Sequence, residues 1–426
     1  MKQHKKILCL ALAILLVVSL CGCSMEGFAK FAMVELLGED PLAVEYRFDP
    51  ASYVLFYREE EAEPTYIPLE EISNYESQYA DCLSTWYRDQ LTGDACTIYS
   101  SYLYAMEHCL KGFSLYVSDG KMDYDMVRDI VALDSPFLEQ NVDGDGEYTR
   151  IWDATKHGTR IYFHTEQFAK DRWEKKMQAL EACRKVVQEI PAKYDTQEEK
   201  MQYLYHYVCD KITYTEYESY SGQDYLYDGA CVGKTICDGY SNMLLLLYQL
   251  ANVDACEVMG NDVQLPENAT QEERDENVGH TWVVAKLGEH YYHFDPTYED
   301  TTEEFLEDRT LYFGVSDALA SSKFLDYEDM RPQCEDASRD FAYTQLTMAN
   351  IKKEKQIKDL AKLTDSRAKK KKYVTYVLVN DTVDEKSVDK MLDSYIEKVS
   401  NVKTVHVSYM EIFEKKTILK VTTEPW

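Results

Sequence analysis

Apolar residues recur at helical spacing in the middle of the chain. Residues 169–189 are charged and periodic enough for a long helix, which Pro191 ends. A second helix is predicted over residues 197–210. Four large apolar residues fall on one face of it: Met201, Leu204, Tyr205 and Val208. These helices precede a strongly apolar stretch at residues 243–250, which we expect to be buried.

Shorter apolar segments on the N-terminal side predict strands. Residues 44–48 and 53–57 flank an Asp-Pro pair, a pattern typical of a hairpin. The other elements predicted there are strands at 113–117, 148–152 and 159–164 and a helix at 124–133. Together they predict a small α+β domain over residues 40–168, with a role that the pattern does not indicate.

The C-terminal region is predicted to contain a basic helical segment followed by a strand, a helix and two more strands. Residues 336–372 are predicted to form a basic linker and helix. The elements predicted after it are a strand at 373–379, a helix at 384–399 and strands at 404–409 and 417–421. They indicate a βαββ module over residues 373–426, a partner or substrate platform in which no pattern indicates catalysis.

The N-terminus has the pattern of an export signal. Three lysines precede an apolar run at residues 7–20, shorter than the roughly twenty residues that a membrane-spanning helix needs. Leu-Cys-Gly-Cys at residues 20–23 resembles the cleavage box of bacterial lipoproteins. That resemblance implies a signal peptide at 1–22, a lipid anchor on Cys23, a tether at 23–39 and an extracytoplasmic, membrane-anchored protein. An ordinary signal peptide or an uncleaved short anchor is the alternative.

Composition narrows the functional classes. A chain of 426 residues with 45% hydrophobic residues is long enough for two or three domains and is not disordered as a whole. Its formal net charge of -30 disfavours nucleic acid as a partner, because the phosphate backbone is repelled. A basic run at residues 352–372 is interpreted as a solvated helix face, with contact to anionic lipid as the alternative.

No pattern in the sequence indicates a metal or another cofactor. The twelve cysteines show no CxxC pair and no Cys/His cluster with zinc spacing, and their disulfide pairing stays open. Residues 141–146 resemble the start of a calcium loop but lack its terminal Glu. A second acidic cluster is interpreted as a solvated loop, with calcium binding as the alternative: Glu299, Asp300, Glu303 and Glu304.

Cys237 is the cysteine whose local sequence predicts reactivity. A glycine-containing loop at residues 229–236 leads into it, and the apolar stretch at 243–250 follows. This order places the thiol at the start of a buried helix, where N–H groups and the helix dipole stabilise a thiolate. Alone, the pattern does not separate Cys237 from a small buried apolar residue, which is what free cysteine commonly is.

Two downstream segments supply partners for the thiol. His280 enters one predicted strand and Asp295 ends the next, with a Gly-Glu pair at 288–289 between the strands. A two-residue turn with glycine first is typical of a type II′ hairpin, which sets Asp295 opposite Trp282 and diagonal to His280. Such diagonal neighbours lie roughly 7–8 Å apart at the backbone, a distance that side chains bridge.

This geometry predicts a role for each residue. His280 takes the thiol proton as general base and returns it to the leaving group, while Asp295 fixes the ring tautomer. A Cys–His ion pair lowers a thiol pKa to between ~3.5 and ~7.5, so we expect Cys237 to be ionised at neutral pH. The backbone N–H of Cys237 is the expected first oxyanion donor.

Three sequence blocks resemble the transglutaminase-like superfamily, whose fold is papain-like. They are Ile236-Cys237-Asp238-Gly239-Tyr240-Ser241, Gly279-His280-Thr281-Trp282 and Asp295-Pro296-Thr297-Tyr298. The family patterns are Val-Cys-x-Gly-Tyr-Ser/Ala, Gly-His-x-Trp and Asp-Pro-Thr-Trp, so Ile236 and Tyr298 are mild departures. The resemblance covers about residues 180–310. It implies a catalytic domain, assigned to residues 169–335, in which a Cys-bearing helix packs on an antiparallel sheet and the Cys, His and Asp form a triad.

Two aromatic residues flank the proposed triad. Tyr240 and Trp282 are predicted to line the substrate-binding cleft, with burial in the core as the alternative. His290 and His293 lie on the same hairpin and are interpreted as structural residues.

Three functions stay open on this pattern. The first is acyl transfer through a Cys237 thioester, which joins a protein or peptide to an amine. The second is an amidase or cysteine peptidase with water as acceptor, and the choice between them depends on how well the site excludes water. The third is a non-catalytic binding module of the cell envelope, against which the intact triad argues. The oligomeric state is also open.

Overall fold

The computed structural model describes much of the chain after residue 51. The described residues are 52–58, 63–73, 75–83, 86–117, 122–134, 136, 148–153, 158–164, 170–216, 224–261, 279–300, 306, 310–320, 325–326, 331–341, 346–348, 354–379, 393, 395, 397–412 and 417–425. The predicted signal peptide, the Cys23 anchor and the tether lie outside them, as does the acidic segment at 141–146. Within the described part, no helix has the length and apolar character needed to cross a membrane.

The N-terminal module is a five-stranded antiparallel sheet in the order β2-β1-β3-β5-β4. Its strands are β1 (Tyr53–Tyr57), β2 (Thr65–Pro68), β3 (Gly112–Tyr116), β4 (Tyr148–Asp153) and β5 (Gly158–His164). The helices are α1 (Leu69–Ile72), α2 (Asp94–Glu107) and α3 (Tyr124–Asp134). The predicted α+β class is confirmed. The predicted strand at 44–48 lies outside the described residues, and β1 pairs with β2 and β3.

The central region begins with the helices that the apolar periodicity predicts. They are α4 (Lys170–Gln188), α5 (Gln197–Lys211) and, after the short helix α6 (Tyr225–Tyr227), which was not predicted, α7 (Cys237–Leu250). Thr196 and Glu199 form a capping box at the start of α5, in which each side chain bonds the other residue's backbone N–H. Helix α7 is buried along almost its whole length, as expected for the apolar stretch.

An antiparallel sheet covers α7. Its order is β11-β10-β9-β8-β12, and a separate pair of short strands, β6 and β7, precedes α7. The strands are β6 (Thr213–Tyr214), β7 (Lys234–Thr235), β8 (Ala255–Asn261), β9 (Gly279–Leu287), β10 (His290–Phe294), β11 (Phe313–Val315) and β12 (Leu325–Asp326). Two short helices accompany them, α8 (Pro296–Asp300) and α9 (Asp317–Ala320). This is the expected Cys-bearing helix on an antiparallel sheet.

The β9–β10 hairpin has the predicted register. Phe294 pairs with Val283, which places the next residue, Asp295, opposite Trp282. Gly288 has φ +66°, and its neighbour Glu289 is not among the described residues with positive φ, as a type II′ turn requires. The turn therefore brings the His280 and Asp295 side chains to one face.

The C-terminal module is a four-stranded sheet in the order β13-β14-β16-β15. Its elements are β13 (Leu346–Met348), α10 (Glu354–Lys369), β14 (Val374–Val379), β15 (Thr404–Glu411) and β16 (Thr417–Glu424). The three predicted strands are confirmed, but β13, which runs parallel to β14, was not predicted. Most of the predicted helix at 384–399 lies outside the described residues. A small apolar cluster around Val377 and Leu419 forms the module's own core.

The main hydrophobic core runs without a break from the N-terminal sheet into the central sheet. Contacts join the two regions directly: Tyr87 OH donates to the Glu257 carbonyl oxygen at 2.8 Å. The rings of Trp86 and Tyr291 lie 5.5 Å apart. The N-terminal module therefore supports the sheet that carries the candidate site, while the exact domain boundaries stay predictions.

Candidate active site

Cys237 is the first residue of α7, at the helix start that the sequence predicts. Ile236 before it is extended, so the chain changes from an extended segment to a helix at the thiol. Gly239 is needed for space, because a Cβ there would collide with the Thr235 side chain. The motif glycine thus lets the segment leading to the thiol pack against the first turn of α7.

The thiol is buried between two hydrogen-bonding neighbours. Cys237 is 8% exposed, and its Sγ donates to Asp238 Oδ2 at 3.4 Å. It is also hydrogen-bonded by the backbone and side chain of Thr281, the residue after His280. The candidate nucleophile therefore contacts the strand that carries the candidate base.

Burial raises the pKa of the Cys237 thiol well above its ordinary value, and the charge and hydrogen bond of Asp238 raise it further. The hydrogen bonds from Thr281 lower the pKa, but they do not reverse the direction. The expectation of a thiolate at neutral pH is wrong for this conformation. Desolvation and the adjacent carboxylate of Asp238 both disfavour the anion.

His280 and Asp295 form a buried pair. His280 Nε2 lies 2.7 Å from Asp295 Oδ2. The other carboxylate oxygen, Oδ1, accepts the backbone N–H of Tyr298 at 3.0 Å. Because the carboxylate sits on Nε2, it favours the tautomer in which Nε2 carries the proton and Nδ1 is the basic atom. The predicted contact between these side chains is present, and their catalytic roles stay predictions.

Two aromatic rings fix the orientation of the His280 imidazole. Trp282 stacks on it, with ring centroids 5.6 Å apart and planes inclined by 20°. Tyr298 meets it nearly perpendicularly, with centroids 4.8 Å apart. Tyr298, where the family pattern has Trp, thus contacts the candidate base with its ring and Asp295 with its backbone.

Tyr240 and Trp282 are completely buried, so this conformation presents no surface of either to a substrate. Tyr240 OH donates to Asp300 Oδ2 at 2.8 Å. Trp282 Nε1 donates to His293 Nδ1 at 2.8 Å. Their burial agrees with the alternative that the sequence left open, placement in the core, and a role in substrate binding stays a prediction.

The acidic cluster after Asp295 is partly a core feature, which corrects its interpretation as a solvated loop. Glu299 is completely buried. Its Oε2 accepts the backbone N–H of Tyr312 at 2.7 Å and the Tyr205 hydroxyl at 3.2 Å. These bonds connect α8, the helix that follows Asp295, to Tyr205 on α5 and to the backbone of Tyr312. They therefore help to fix the position of α8. Residues 303–304 lie outside the described residues.

A buried carboxyl beneath the nucleophile was not predicted from the sequence. Glu257 on β8 is 1% exposed, and its Oε1 accepts from Ser241 Oγ at 2.6 Å and from Asn242 Nδ2 at 3.3 Å. Ser241 Oγ also lies 2.9 Å from Thr281 Oγ1, so one hydroxyl connects the carboxyl to the residue that contacts the thiol. Burial raises the pKa of Glu257 to about 8, with the Ser241 bond opposing and the charge of Asp238 adding.

A second His/Asp/Cys cluster adjoins Trp282. His293 Nε2 lies 2.9 Å from Asp317 Oδ1, and Arg331 Nη2 lies 2.8 Å from the same oxygen. Asp317 Oδ2 accepts the backbone N–H of Cys334 at 2.6 Å. His293 is bonded on both ring nitrogens, in line with its interpretation as a structural residue. Asp317 and Arg331 were not predicted, because no motif marks them.

The described cysteines are all free thiols: Cys82, Cys96, Cys109, Cys183, Cys209, Cys231, Cys237, Cys256 and Cys334. Burial raises the pKa of both Cys183 and Cys256, which lie in the core. These two thiols are therefore internal references against which the reactivity of Cys237 is measured.

Residues 184–296 match the model of the transglutaminase-like superfamily. Together with the helix that begins at Cys237 and the sheet that packs on it, this match shows that the chain carries a domain of that superfamily. The match includes all three residues of the proposed triad. No curated protein matches the chain.

Three solved structures are similar over part of the chain. A proposed cysteine protease from Cytophaga hutchinsonii is 10% identical, with 36% of this chain and 62% of that chain covered and a TM-score of 0.22. A TGase is 13% identical (43% and 50% covered, TM-score 0.23). The periplasmic domain of TgpA from Pseudomonas aeruginosa, bound to ethylmercury, is 14% identical (35% and 62% covered, TM-score 0.23). The chain spans 50 to 62% of the lengths of these structures, and similarity this low carries no argument about its activity.

Proposed function

We propose that this chain is a thiol enzyme that acts on acyl or amide bonds of proteins or peptides through a thioester on Cys237. The observation that carries the proposal is the buried bond of 2.7 Å between His280 and Asp295. Thr281, the residue after His280, contacts the thiol of Cys237. The match of residues 184–296 to the transglutaminase-like model supports the same class of reaction.

The first step joins the sulfur to the substrate. His280 Nδ1 accepts the thiol proton as Cys237 Sγ attacks the carbonyl carbon. Because burial and Asp238 disfavour a lone thiolate, the proton leaves together with the attack and not before it. The backbone N–H of Cys237 stabilises the oxyanion, while Asp295 stabilises the imidazolium.

The second step releases the amine. The His280 imidazolium protonates the departing nitrogen, the C–N bond breaks, and the acyl group stays on Sγ as a thioester. An acceptor amine or a water molecule then loses a proton to His280 as it attacks the thioester. Cleavage of the C–S bond returns the proton and restores the thiol.

We propose transfer to an amine as the main outcome, with hydrolysis as the alternative. A thiol that is 8% exposed offers little room for water around the thioester. The Asp238 carboxylate, 3.4 Å from the sulfur, attracts a cationic amine to the reacting bond. Both features support an acceptor that carries a primary amine.

We also propose that the protein is extracytoplasmic and carries a lipid on Cys23. The support is the sequence pattern of residues 1–23, in which lysines, a short apolar run and Leu-Cys-Gly-Cys follow one another. Mass spectrometry of the mature protein tests this. A diacylglycerol-modified Cys23 at the N-terminus is expected, and an unmodified N-terminus contradicts the anchor.

The enzymatic proposal is tested by trapping the intermediate. The full chain is incubated with a glutamine-containing peptide and a fluorescent primary amine, and intact mass and ammonia release are measured. An acyl adduct on Cys237 with labelled peptide supports transfer. Ammonia without label supports hydrolysis and contradicts transfer, and absence of any adduct across peptide substrates favours the non-catalytic module.

A further inference from the structure

Trp282 connects the proposed base to the second cluster. Its ring stacks on His280 at 5.6 Å, and its Nε1 donates to His293 Nδ1 at 2.8 Å. The indole is completely buried, so water does not replace the acceptor if His293 is removed. An unpaired buried donor is costly, and the indole would then favour another orientation. The orientation of the ring against His280 therefore depends on His293.

The contacts of His293 define its tautomer. Nδ1 accepts from the indole, so Nε2 carries the ring proton and donates it to Asp317 Oδ1 at 2.9 Å. Partial burial raises the pKa of Asp317, but the hydrogen bond and charge of His293 and the charge of Arg331 lower it to about 2. An ionised Asp317, held by Arg331, thus keeps the proton on Nε2 and leaves Nδ1 as an acceptor.

The same atoms argue against a metal in this cluster. Ligand atoms of His293, Asp317 and Cys334 lie within 4.8 Å of one another, as in a metal site. However, the buried guanidinium of Arg331 lies 2.8 Å from the Asp317 oxygen that would ligate, and a divalent cation would be repelled by that charge. The two nitrogens of His293 are also both engaged. The cluster is therefore a hydrogen-bond network that ends on Trp282.

We propose that His293 is a positioning residue for the reaction: through Trp282 it holds the imidazole of His280 in the orientation that proton transfer from Cys237 needs. This inference rests on the proposed function, because it concerns the base of that reaction. Loss of the acceptor lets the indole move and leaves the His280–Asp295 bond in place. We therefore expect a change in the rate and the pH dependence of proton transfer, because small misalignments of the reacting groups slow a reaction strongly.

Two substitutions separate the two hydrogen bonds of His293. Asn places a carbonyl oxygen near the position of Nδ1, so it keeps an acceptor for the indole, whereas Gln reaches toward Asp317 and leaves the indole without one. We expect His293→Gln to slow iodoacetamide labelling of Cys237 about tenfold at neutral pH and to shift the pH midpoint of labelling. His293→Asn should retain most of the rate.

A matched control excludes a general effect on the hairpin. His290 is exposed at the turn end of the same strand. In the control variant His290→Gln, the labelling rate of Cys237 should equal that of the wild type. Thermal melting of each variant reports folding separately. A purely structural role of His293 would lower the melting temperature without moving the pH midpoint, and that result overturns the inference.

Trp282→Phe tests the link from the other side, since it keeps a ring beside His280 and removes the N–H. In that background His293→Gln should slow labelling no further, because the bond is already absent. Equal losses from the Asn and Gln variants of His293 contradict the inference. Failure of the proposed function looks different: His280→Asn would then leave the labelling of Cys237 unchanged, whereas failure of the inference alone leaves His280 essential and His293 replaceable.

Discussion

The β9–β10 hairpin contributes a histidine to each of two clusters that contain the same residue types. One consists of the bonded pair His280 and Asp295, for which Cys237 at the start of α7 is the proposed nucleophile. The other consists of Cys334, His293 and Asp317. In both, a carboxylate lies within 3 Å of an imidazole Nε2. Residue types and distances alone therefore do not distinguish an active site from a structural network.

The clusters differ in what surrounds each group. Asp295 serves His280 and one backbone N–H, whereas Asp317 is shared between His293 and the cation of Arg331. His293 Nδ1 is occupied by an indole N–H. Cys334 is fully buried and its Sγ lies 3.8 Å from a carbonyl oxygen, whereas Cys237 begins a helix. The second cluster is already neutralised and bonded, so it can orient a neighbour but has little left with which to react.

Replacement of each cysteine gives the largest expected contrast. Cys237→Ala should lower amine incorporation at least about a thousandfold, because no thioester forms. Cys334→Ala should keep the activity within about threefold and lower the free energy of unfolding by about 1–2 kcal/mol, as for a small buried side chain. Incorporation assays and urea unfolding measure the two effects. Similar losses of activity would remove the distinction between the clusters.

The two carboxylates are expected to differ next. Asp295→Asn should reduce the rate of thioester formation roughly 10³- to 10⁴-fold, because the amide favours the wrong His280 tautomer. Asp317→Asn should reduce it only about tenfold, since it acts through Trp282. Single-turnover acylation with a chromogenic ester measures both. A larger loss from Asp317→Asn than from Asp295→Asn would reverse the assignment of the base.

Glu257, which lies beneath Cys237, and Asp317 of the second cluster should make contributions to stability that respond to pH with opposite sign. The pKa of Glu257 is raised from 4.5 to about 8. Between pH 4.5 and about pH 8, the folded state therefore keeps a proton on Glu257 that the unfolded chain has lost. Its contribution to stability therefore falls as the pH rises from 4.5 to about 8. The pKa of Asp317 is lowered from 3.8 to about 2, so its contribution is lost only as the pH falls through that range.

Glu257→Gln tests the first of these signs. The amide keeps the shape of the side chain and a carbonyl acceptor for Ser241, but it does not ionise. Relative to the wild type, the variant should gain stability between pH 5 and pH 8, by an amount of the order of several kcal/mol. Urea unfolding at both pH values measures the difference. A difference that does not change with pH would contradict a neutral carboxyl in the folded state.

The smallest expected effect concerns the residue beside the thiol. Asp238→Asn removes a charge that raises the pKa of Cys237, so iodoacetamide labelling should be about tenfold faster at neutral pH. Labelling of the buried Cys183 serves as the reference. The same variant should incorporate cationic amines less well relative to hydrolysis. An unchanged pH midpoint would show that the thiol does not sense Asp238.

The features that the sequence predicted are governed by local rules. The Gly288 turn sets the register that places Asp295 opposite Trp282, and periodicity locates α5 and α7. The features that it did not predict depend on residues far apart in the chain. Glu257 bonds to Ser241, and Arg331 pairs with Asp317. No motif in the sequence contains Glu257 or Arg331. The thiol pKa was assigned the wrong direction because burial is a property of the packed molecule.

By itself, the amino-acid order determined the helix that begins at Cys237, the hairpin that joins His280 to Asp295, and the match to a transglutaminase-like domain. These follow from turn chemistry, hydrophobic period and short motifs, which act over a few residues. Only the tertiary structure decided that Trp282 is a buried support and that one of two similar clusters is already neutralised by a cation. Desolvation and long-range charge, which set protonation and remaining hydrogen-bonding capacity, arise only when distant segments pack together.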